Sequence, residues 1–344
     1  MGFAMKRITV KDLARELNVS LNTINKGLNN KPGISEETRQ KILATAERMG
    51  YRVNRVAQSL ARNPVRFGII MPEEWPEYYG SLKQGIDLEL DALRDYNISG
   101  EYYMVPGLHS KIETSQAIRQ CINDRMSAII ICPPQDVDDA SHVHILNESG
   151  IPVITLGADL PGANRLCCVR VNAHVSGKLA AEFMKWLIDR ERTLAVFIGN
   201  KDFNDHKEKV DGFLEGARAN GLRMEGIFET QDDPDVAYHL TGKLVRERPE
   251  LGGIYIATGN SIAVCRYMEG NNIHGVRIVG TDIFSEIKEY VKRDFIQGVV
   301  FQDPVRQGRY AVKAIHDALI ANASIEENIL ITPQLVLKSN IEYY

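Results

Sequence analysis

The chain has 344 residues, of which 44% are hydrophobic and 25% charged, so it can bury more than one core and we expect two or three folding units. It contains no apolar run long enough to span a membrane, and its first residues lack the apolar stretch of a secretion signal. We therefore expect a cytoplasmic protein with no membrane partner. Its five cysteines include no CxxC pair and no zinc-ligand spacing, so they are expected to be free thiols, and no metal or cofactor is predicted.

The charge is divided unevenly along the chain. The net charge is -4, yet residues 1–66 contain thirteen Lys and Arg against five Asp and Glu, which gives this part +8 and leaves -12 for the remainder. A small basic module attracts a polyanion such as DNA, whereas an acidic remainder is repelled by it. A solvated basic face would give the same charge, so the residue pattern must decide between the two interpretations.

The first two predicted helices are joined by a tight turn. Thr9 followed by Asp12 is typical of a helix start, because the hydroxyl caps free amides while the carboxylate reaches back. A helix is predicted over Val10–Leu17, and Ser20 can cap a second helix over Leu21–Leu28. The pattern is a helix-turn-helix.

A third helix is predicted after Ser35, which can cap it, with Glu36 and Glu37 in its first turn. Its predicted buried side consists of Ile42, Leu43, Ala46 and Met49. Three short helices can close one small core. A scaffold or protein-interaction module would have the same pattern and remains the alternative.

A short helix is then predicted over Arg55–Ala61, with Asn54 as its cap and Pro64 preventing its continuation. A helix of this length is marginally stable in isolation. An ordinary linker helix is one interpretation of this segment, and a hinge is the other.

From Val65 onward, short apolar runs alternate with amphipathic segments of helix length. The runs that predict parallel strands are Phe67–Met71, Ala128–Cys132, Pro152–Leu156, Leu194–Ile198, Gly253–Ile256 and Val276–Val279. The predicted helices are Ser81–Tyr96, Lys111–Asp124, Ala173–Arg190, Lys209–Asn220, Asp235–Glu247 and Ser261–Gly270. This alternation predicts an α/β fold of doubly wound parallel sheets.

The N-terminal residues resemble the DNA-binding headpiece of the Lac repressor family. The resemblance lies in ITVKDLARELNVSLNTINKGLN, GISEETRQKI and MGYRVNRVAQSLA, in this order. It implies an all-α helix-turn-helix headpiece over residues 1–52 and a hinge helix with linker over 53–65. Residues 66–344 resemble the periplasmic-binding-protein-like (type I) sensor of the same family, with two lobes for effector binding and dimerisation. Such a chain crosses between its lobes three times, and we expect crossings near Leu166–Val171, Phe295–Gly298 and Ser324–Thr332.

The resemblance also implies which residues contact DNA. By this resemblance, the base-reading positions fall on Leu21, Asn22 and Lys26. Their side chains suit this role, since Asn can pair with adenine, Lys with guanine and Leu with a thymine methyl group. Lys26 stands where the family commonly has Arg, which removes a bidentate fork. The matching residue for a minor-groove wedge is Leu60. The other implied DNA-binding residues are Thr9, Ser20, Thr23, Asn25, Asn29, Asn54 and Arg55.

A second set of residues is implied for an effector between the lobes. The segments after predicted strands, where open α/β sheets bind ligands, contain Asp159, Asp282 and Gln302. Lys209 stands where many relatives have Arg. The complete implied set is Trp75, Tyr79, Asp159, Lys209, Asn260, Asp282 and Gln302. A helix cap is the alternative role for each Asp, and core or dimer surface is the alternative for the aromatic residues.

The function implied by the resemblance is a sequence-specific transcription repressor, a homodimer on double-stranded operator DNA, controlled by a sugar or sugar derivative. No heptad repeat follows the last strand-like segment, so no higher assembly is expected. Two alternatives are a sugar-binding protein without a DNA role and an enzyme acting on sugars. The sequence shows no GxGxxG or GxSxG motif and no catalytic constellation, so we expect no enzyme.

Overall fold

In the computed structural model, residues 8–28, 32–51, 64–135 and 141–344 are described. The chain divides into two compact units, Met1–Asn63 and Pro64–Tyr344. The predicted hinge helix over Arg55–Ala61 lies outside the described residues.

The described residues of the first unit form three helices, α1 (Val10–Leu17), α2 (Leu21–Leu28) and α3 (Glu36–Arg48). Their starts follow the predicted caps: Thr9 and Asp12 form a capping box, Ser20 Oγ accepts from the amide of Thr23, and Ser35 caps α3. The helix-turn-helix prediction is confirmed.

One small core holds these helices together. Its buried side chains are Leu13, Ile24, Ile42 and Ala46. The prediction for Leu43 was wrong, since this side chain is 42% exposed. The buried residues of α3 are Ile42, Thr45 and Ala46, which are spaced three and four positions along one face, and Leu43 lies outside this stripe.

Within residues 64–135 and 141–344, the second unit has two six-stranded sheets, one for each of its two lobes. The strands in chain order are β1 (Val65–Pro72), β2 (Ile98–Val105), β3 (Ala128–Ile131), β4 (Val153–Leu156), β5 (Cys167–Val171), β6 (Thr193–Ile198), β7 (Arg223–Glu229), β8 (Leu251–Ile256), β9 (Arg277–Thr281), β10 (Gly298–Phe301), β11 (Asn328–Ile331) and β12 (Gln334–Val336). The first sheet has the order β11-β5-β4-β3-β1-β2 and the second β12-β10-β9-β8-β6-β7. All neighbouring pairs are parallel except β10 with β12.

Helices cover both faces of each sheet. They are α4 (Pro76–Ala92), α5 (Lys111–Asn123), α6 (Ser141–Ser149), α7 (Ala173–Met184), α8 (Asn204–Ala219), α9 (Pro234–Glu247), α10 (Ser261–Gly270), α11 (Ser285–Lys292) and α12 (Pro304–Leu319). Along β6, Ala195 and Phe197 join one apolar cluster while Leu194, Val196 and Ile198 join another on the opposite face. Burial on both faces explains the continuous apolar runs, and the predicted pair of doubly wound lobes is confirmed.

The chain crosses between the lobes three times, but one predicted crossing was wrong. The crossings occur between β5 and α7, between β10 and α12, and between β11 and β12. The segment Phe295–Gly298 is instead a turn within the second lobe. There, the side-chain oxygen of Gln297 accepts from the amide of Ile278, and the backbone amide of Gln297 donates to the carbonyl of Ile278. These bonds precede the pairing of β10 with β9. The crossing lies after β10, at Gln302 and Asp303.

Glycines allow two helix pairs to pack at backbone contact. A methyl group on Gly177 of α7 would lie 1.9 Å from the carbonyl oxygen of Lys209 on α8, and one on Gly212 would lie 1.9 Å from that of His174. In the first lobe, α4 and α12 meet in the same way at Gly85 and Gly308. The contact of α7 with α8 fixes the position of Lys209.

We expect Gly177→Ala to destabilise the second unit by about 1–3 kcal/mol, because the backbones of α7 and α8 must separate. Urea unfolding measures the change. Gly270→Ala is the matched control, since a methyl group there meets nothing within 4 Å. Equal stability of both variants would contradict the packing argument.

Candidate functional site

The outer face of α2 presents polar residues and one apolar residue to solvent. Leu21 is 44% exposed, and Asn22 and Asn25 are also exposed, whereas Ile24 and Gly27 are buried. A methyl group on Gly27 would lie 2.6 Å from Ile42 Cδ1, so α2 rests closely on α3. This packing directs Leu21 and Asn22 outward from the headpiece.

The remaining predicted DNA-binding residues have varied positions. Lys26 is half-buried, with its Nζ beside Gly33. Thr9 caps α1, and the hydroxyls of Ser20 and Thr23 lie 2.9 Å apart at the start of α2. Four further predicted residues lie outside the described part of the chain: Asn29, Asn54, Arg55 and Leu60.

In the second unit, a cavity lies between the two lobes. It encloses about 690 Å³ of space free of protein atoms, including its opening to solvent. The first lobe contributes mainly aromatic and apolar residues, and the second contributes the charged groups. The lining residues are Trp75, Tyr78, Tyr79, Leu108, Cys132, Pro133, Gln135, Leu156, Gly157, Ala158, Phe203, Asp205, His206, Lys209, Asp232, Ala257, Thr258, Gly259, Thr281, Asp282, Phe284 and Gln302.

Two polar pairs form the charged wall of this cavity. Lys209 Nζ donates to Asp205 Oδ2 at 2.7 Å, one helical turn away on α8, and Lys209 is only 3% exposed. Asp282 follows β9, and its Oδ2 accepts from Gln302 Nε2 at 2.7 Å. Gln302 is held by Gln307, which donates to the Gln302 carbonyl at 2.8 Å. These hydrogen bonds fix the positions of the Lys209 and Asp282 side chains in the wall.

Burial and charge shift the pKa values of these groups. Burial opposes the charge on Lys209, but Asp205 outweighs it, and the pKa of the ammonium lies above its ordinary value. Burial raises the pKa of Asp282 to about 6, although Lys209 and Gln302 favour its charged form. Asp282 is therefore ionised at pH 7 at a cost in stability.

Three lining residues hold strained backbone. Trp75, Asp232 and Asp282 have φ values of 53°, 54° and 63°, in the left-handed region that favours glycine. For a bulky residue such as Trp this conformation is rare, and such strain clusters at binding and catalytic sites. Of the three, Trp75 has the rarest conformation for its residue type, because Asp tolerates the left-handed region.

Two contacts join the lobes beside the cavity. A methyl group on Gly259, after β8, would lie 2.3 Å from Cζ3 of Trp75, so the indole ring rests directly on this glycine. Arg170 on β5 donates to both carboxylate oxygens of Glu208 on α8, at 2.6 and 3.1 Å. Both contacts must change if the lobes move apart.

The structure brings five of the seven predicted effector residues to the cavity: Trp75, Tyr79, Lys209, Asp282 and Gln302. Asp159 is not among its lining residues, and both its oxygens accept from Arg165. Asn260 is buried nearby and donates to Thr230 Oγ1 at 3.0 Å.

Sequence reasoning missed several lining residues. Asp205 and His206 belong to the first turns of α8, which starts at Asn204 rather than at the predicted Lys209. Asp232 follows β7, an edge strand that was not predicted. The spacing of Asp205 and Lys209, four residues apart on a helix, was the available signal.

Comparison with known proteins identifies both units. Residues 9–54 match the bacterial regulatory proteins of the lacI family, and residues 67–323 match the periplasmic binding protein domain. Catabolite control protein A from Priestia megaterium is 24% identical over 286 residues, covering 82% of this chain and 81% of its own. The regulator GalR from Escherichia coli (strain K12) is 23% identical, covering 67% and 64%.

Solved structures share the fold of the second unit. A glucose-galactose binding protein from Geobacillus stearothermophilus, GanP, superposes with a TM-score of 0.72 at 21% identity, over 81% of this chain and 99% of its own. A LacI-type regulator structure from Bacteroides fragilis gives a TM-score of 0.72 at 21% identity, over 82% and 100%.

A helix-turn-helix unit followed by a two-lobed periplasmic-binding-protein-like unit defines a class of DNA-binding regulators. The chain belongs to the lacI family of bacterial regulatory proteins, with a periplasmic binding protein domain as its larger part. It is accordingly a DNA-binding transcriptional regulator.

None of the described helices is long and apolar enough to cross a membrane. Within the same ranges, no cluster of His, Cys, Asp and Glu could hold a metal ion. The five cysteines are unpaired and buried.

We expect Asp282→Asn to become more stable than the wild type as pH rises. A carboxyl group whose pKa is raised from 3.8 to about 6 in the folded state stabilises the fold below pH 4 and loses this contribution through pH 6. The full effect is on the order of 3 kcal/mol. Denaturant unfolding at pH 5.0 and 7.5 tests it, and the variant's advantage should grow by more than about 1 kcal/mol between them.

The exposed Asp211 on α8 provides the control, because Asp211→Asn removes the same charge from solvent. This variant should keep the wild-type dependence on pH. If Asp282→Asn also kept the wild-type dependence of stability on pH, burial would not raise the pKa of the Asp282 carboxyl group.

Proposed function

We propose that the protein is a repressor that binds operator DNA through α2 and is controlled by a sugar-like metabolite bound in the cleft of the second unit. The observation that carries this proposal is the arranged polar wall opposite aromatic side chains, within the larger unit of a lacI-family regulator. Carboxylate and amide groups bind sugar hydroxyls, and aromatic faces pack against the C–H face of a sugar ring.

On the DNA side, we propose that a homodimer places two copies of α2 in successive major grooves of a near-palindromic operator. Leu21 and Asn22 are exposed on α2, which suits contact with base edges. Lys26, Thr23 and Asn25 would add contacts, and Leu60 is proposed as the minor-groove wedge. The protein then acts in the cytoplasm, where bacterial DNA lies.

On the effector side, we propose that Asp282, Gln302 and Lys209 bind the ligand while Trp75 and Tyr79 pack against it. Asp159 acts indirectly, because Arg165 occupies its carboxylate. The ligand is bound and released unchanged, since its role is to shift the lobes. A sugar-binding protein without a DNA role would not account for residues 9–54.

Control of DNA affinity requires that the ligand bind one arrangement of the lobes more tightly than the other. The contacts of Trp75 with Gly259 and of Arg170 with Glu208 join the lobes and would differ between the two arrangements. A coupling free energy of about 1–3 kcal/mol is typical of such regulators.

We expect Asn22→Ala to weaken operator binding by about 1–3 kcal/mol while binding to random DNA stays unchanged, because an adenine contact is lost. Operators are first selected from genomic fragments, and affinity is measured at several salt concentrations. Gln40→Ala, an exposed amide on α3, is the control. Absence of any site-selective, salt-sensitive binding would contradict the proposal.

We expect ligand binding to change the fluorescence of Trp75. Trp186, the other tryptophan, is 80% exposed, so Trp186→Phe leaves Trp75 as the reporter. Any sugar that raises thermal stability should shift the emission of this variant and leave that of Trp75→Phe unaltered. A bound sugar that changed neither emission would place the ligand outside the cleft.

A further inference from the structure

The cavity wall has more hydrogen-bond acceptors than its own donors satisfy. Among its described residues, four buried oxygen atoms lack a partner: Gln135 Oε1, Asp205 Oδ1, Asp232 Oδ2 and Asp282 Oδ1. Gln135, Asp205 and Asp282 are 7%, 6% and 6% exposed. An unpaired buried acceptor costs free energy, so a ligand that fits this wall brings donors.

The wall also has an excess of negative charge. Of its described lining residues, Asp205, Asp232 and Asp282 are carboxylates, and the ammonium of Lys209 already pairs with Asp205. Burial lowers the pKa of His206, and this ring is neutral at pH 7. Asp282 has no ion pair of its own there, although Lys209 favours its charged form, and Asp232 has no lysine or arginine partner among the described lining residues.

Anionic ligands are disfavoured by this arrangement. Phosphorylated or carboxylated sugars usually pair with Arg or Lys, and here the lining cation is already bound to a carboxylate. A further anion in the same buried space would add repulsion from Asp232 and Asp282.

We propose that the effector is a polyhydroxylated molecule with a protonated amine, of the amino sugar class, whose ammonium group binds at Asp232. This inference rests on the proposed function, because it assumes that the cleft holds the effector. An ammonium group provides three donors and one positive charge, and it satisfies both deficits at once. A neutral sugar provides donors only, and brings no positive charge to balance Asp232.

The probes are three matched series of hexoses. Glucosamine, galactosamine and mannosamine are each compared with the parent hexose, its 6-phosphate and its uronic acid, by thermal shift and calorimetry on the full chain. We expect at least one amino sugar to bind about tenfold or more tightly than its parent, because charge-assisted hydrogen bonds are roughly twice as strong as neutral ones. The phosphates and uronic acids should not bind measurably.

Three outcomes overturn the proposal. One is that an anionic member of a series binds most tightly. Another is that the neutral parent hexose binds as tightly as its amino sugar. The third is that none of the three amino sugars binds.

A variant tests the proposed location of the amine. Asp232→Asn should reduce the preference for the amino sugar over its parent by about fivefold or more, while affinity for the parent changes little. Asp211→Asn, which removes an exposed charge from α8, should keep the preference. The assignment would be overturned if Asp232→Asn reduced the affinity for both ligands equally, or if the preference for the amino sugar stayed unaltered.

Operator binding separates this inference from the proposed function. If a phosphorylated sugar binds the cleft and changes operator affinity, the function stands and the inference fails. If an amino sugar binds with the expected preference but leaves operator affinity unaltered, the assignment of the amine to the cleft stands, and the proposed control of DNA binding by this ligand fails.

Discussion

Charge buried in the wall of the interlobe cavity is the constraint on which the rest of the account depends. Asp205, Asp232 and Asp282 come from three elements of the second lobe, and Lys209 pairs with the first of them. Buried charges without partners are costly, so the fold retains them against its own stability. The backbone strain at Asp232 and Asp282 adds to this cost. A ligand that brings donors and positive charge would recover part of it.

The same wall also lies next to a contact between the two lobes. Lys209 and Glu208 are neighbours on α8, and Glu208 binds Arg170 of the first lobe while Lys209 faces the cavity. Close packing at Gly177 and Gly212 ties α8 to α7, which directly follows a crossing between the lobes. A ligand that alters the surroundings of Lys209 therefore acts on a helix that also contacts the other lobe.

Much of the fold could be predicted from the sequence, because helix-capping residues and the pattern of buried residues indicate the same helices and strands. The caps at Thr9, Ser20 and Ser35 mark the starts of the headpiece helices, and continuous apolar runs mark the central strands. The edge strands β2 and β7 were missed because their residues are half-exposed and more polar. One crossing was misplaced because β10 pairs with β9 before the chain leaves the second lobe.

The candidate site was predictable only in part, because some of its residues follow elements whose positions were not predicted. Residues directly after recognised strands, such as Asp282, could be assigned to the cleft from their place in the topology together with the family resemblance. Asp232 depended on the missed edge strand β7, and Asp205 on the true start of α8. The pairing of Asp159 with Arg165 could not be predicted from the sequence. A carboxylate at a strand end can face the cleft or bind a nearby side chain of its own loop, and the residue spacing does not distinguish these two cases.

Reciprocal coupling between cleft and operator tests the central claim most directly. The affinity of an amino sugar is measured for the free protein and for the protein saturated with operator, and operator affinity is measured with and without the sugar. Thermodynamic linkage requires the two ratios to be equal. The account predicts equal ratios of about fivefold or more. Ratios of one, with both ligands bound, would show that the cleft does not control DNA binding.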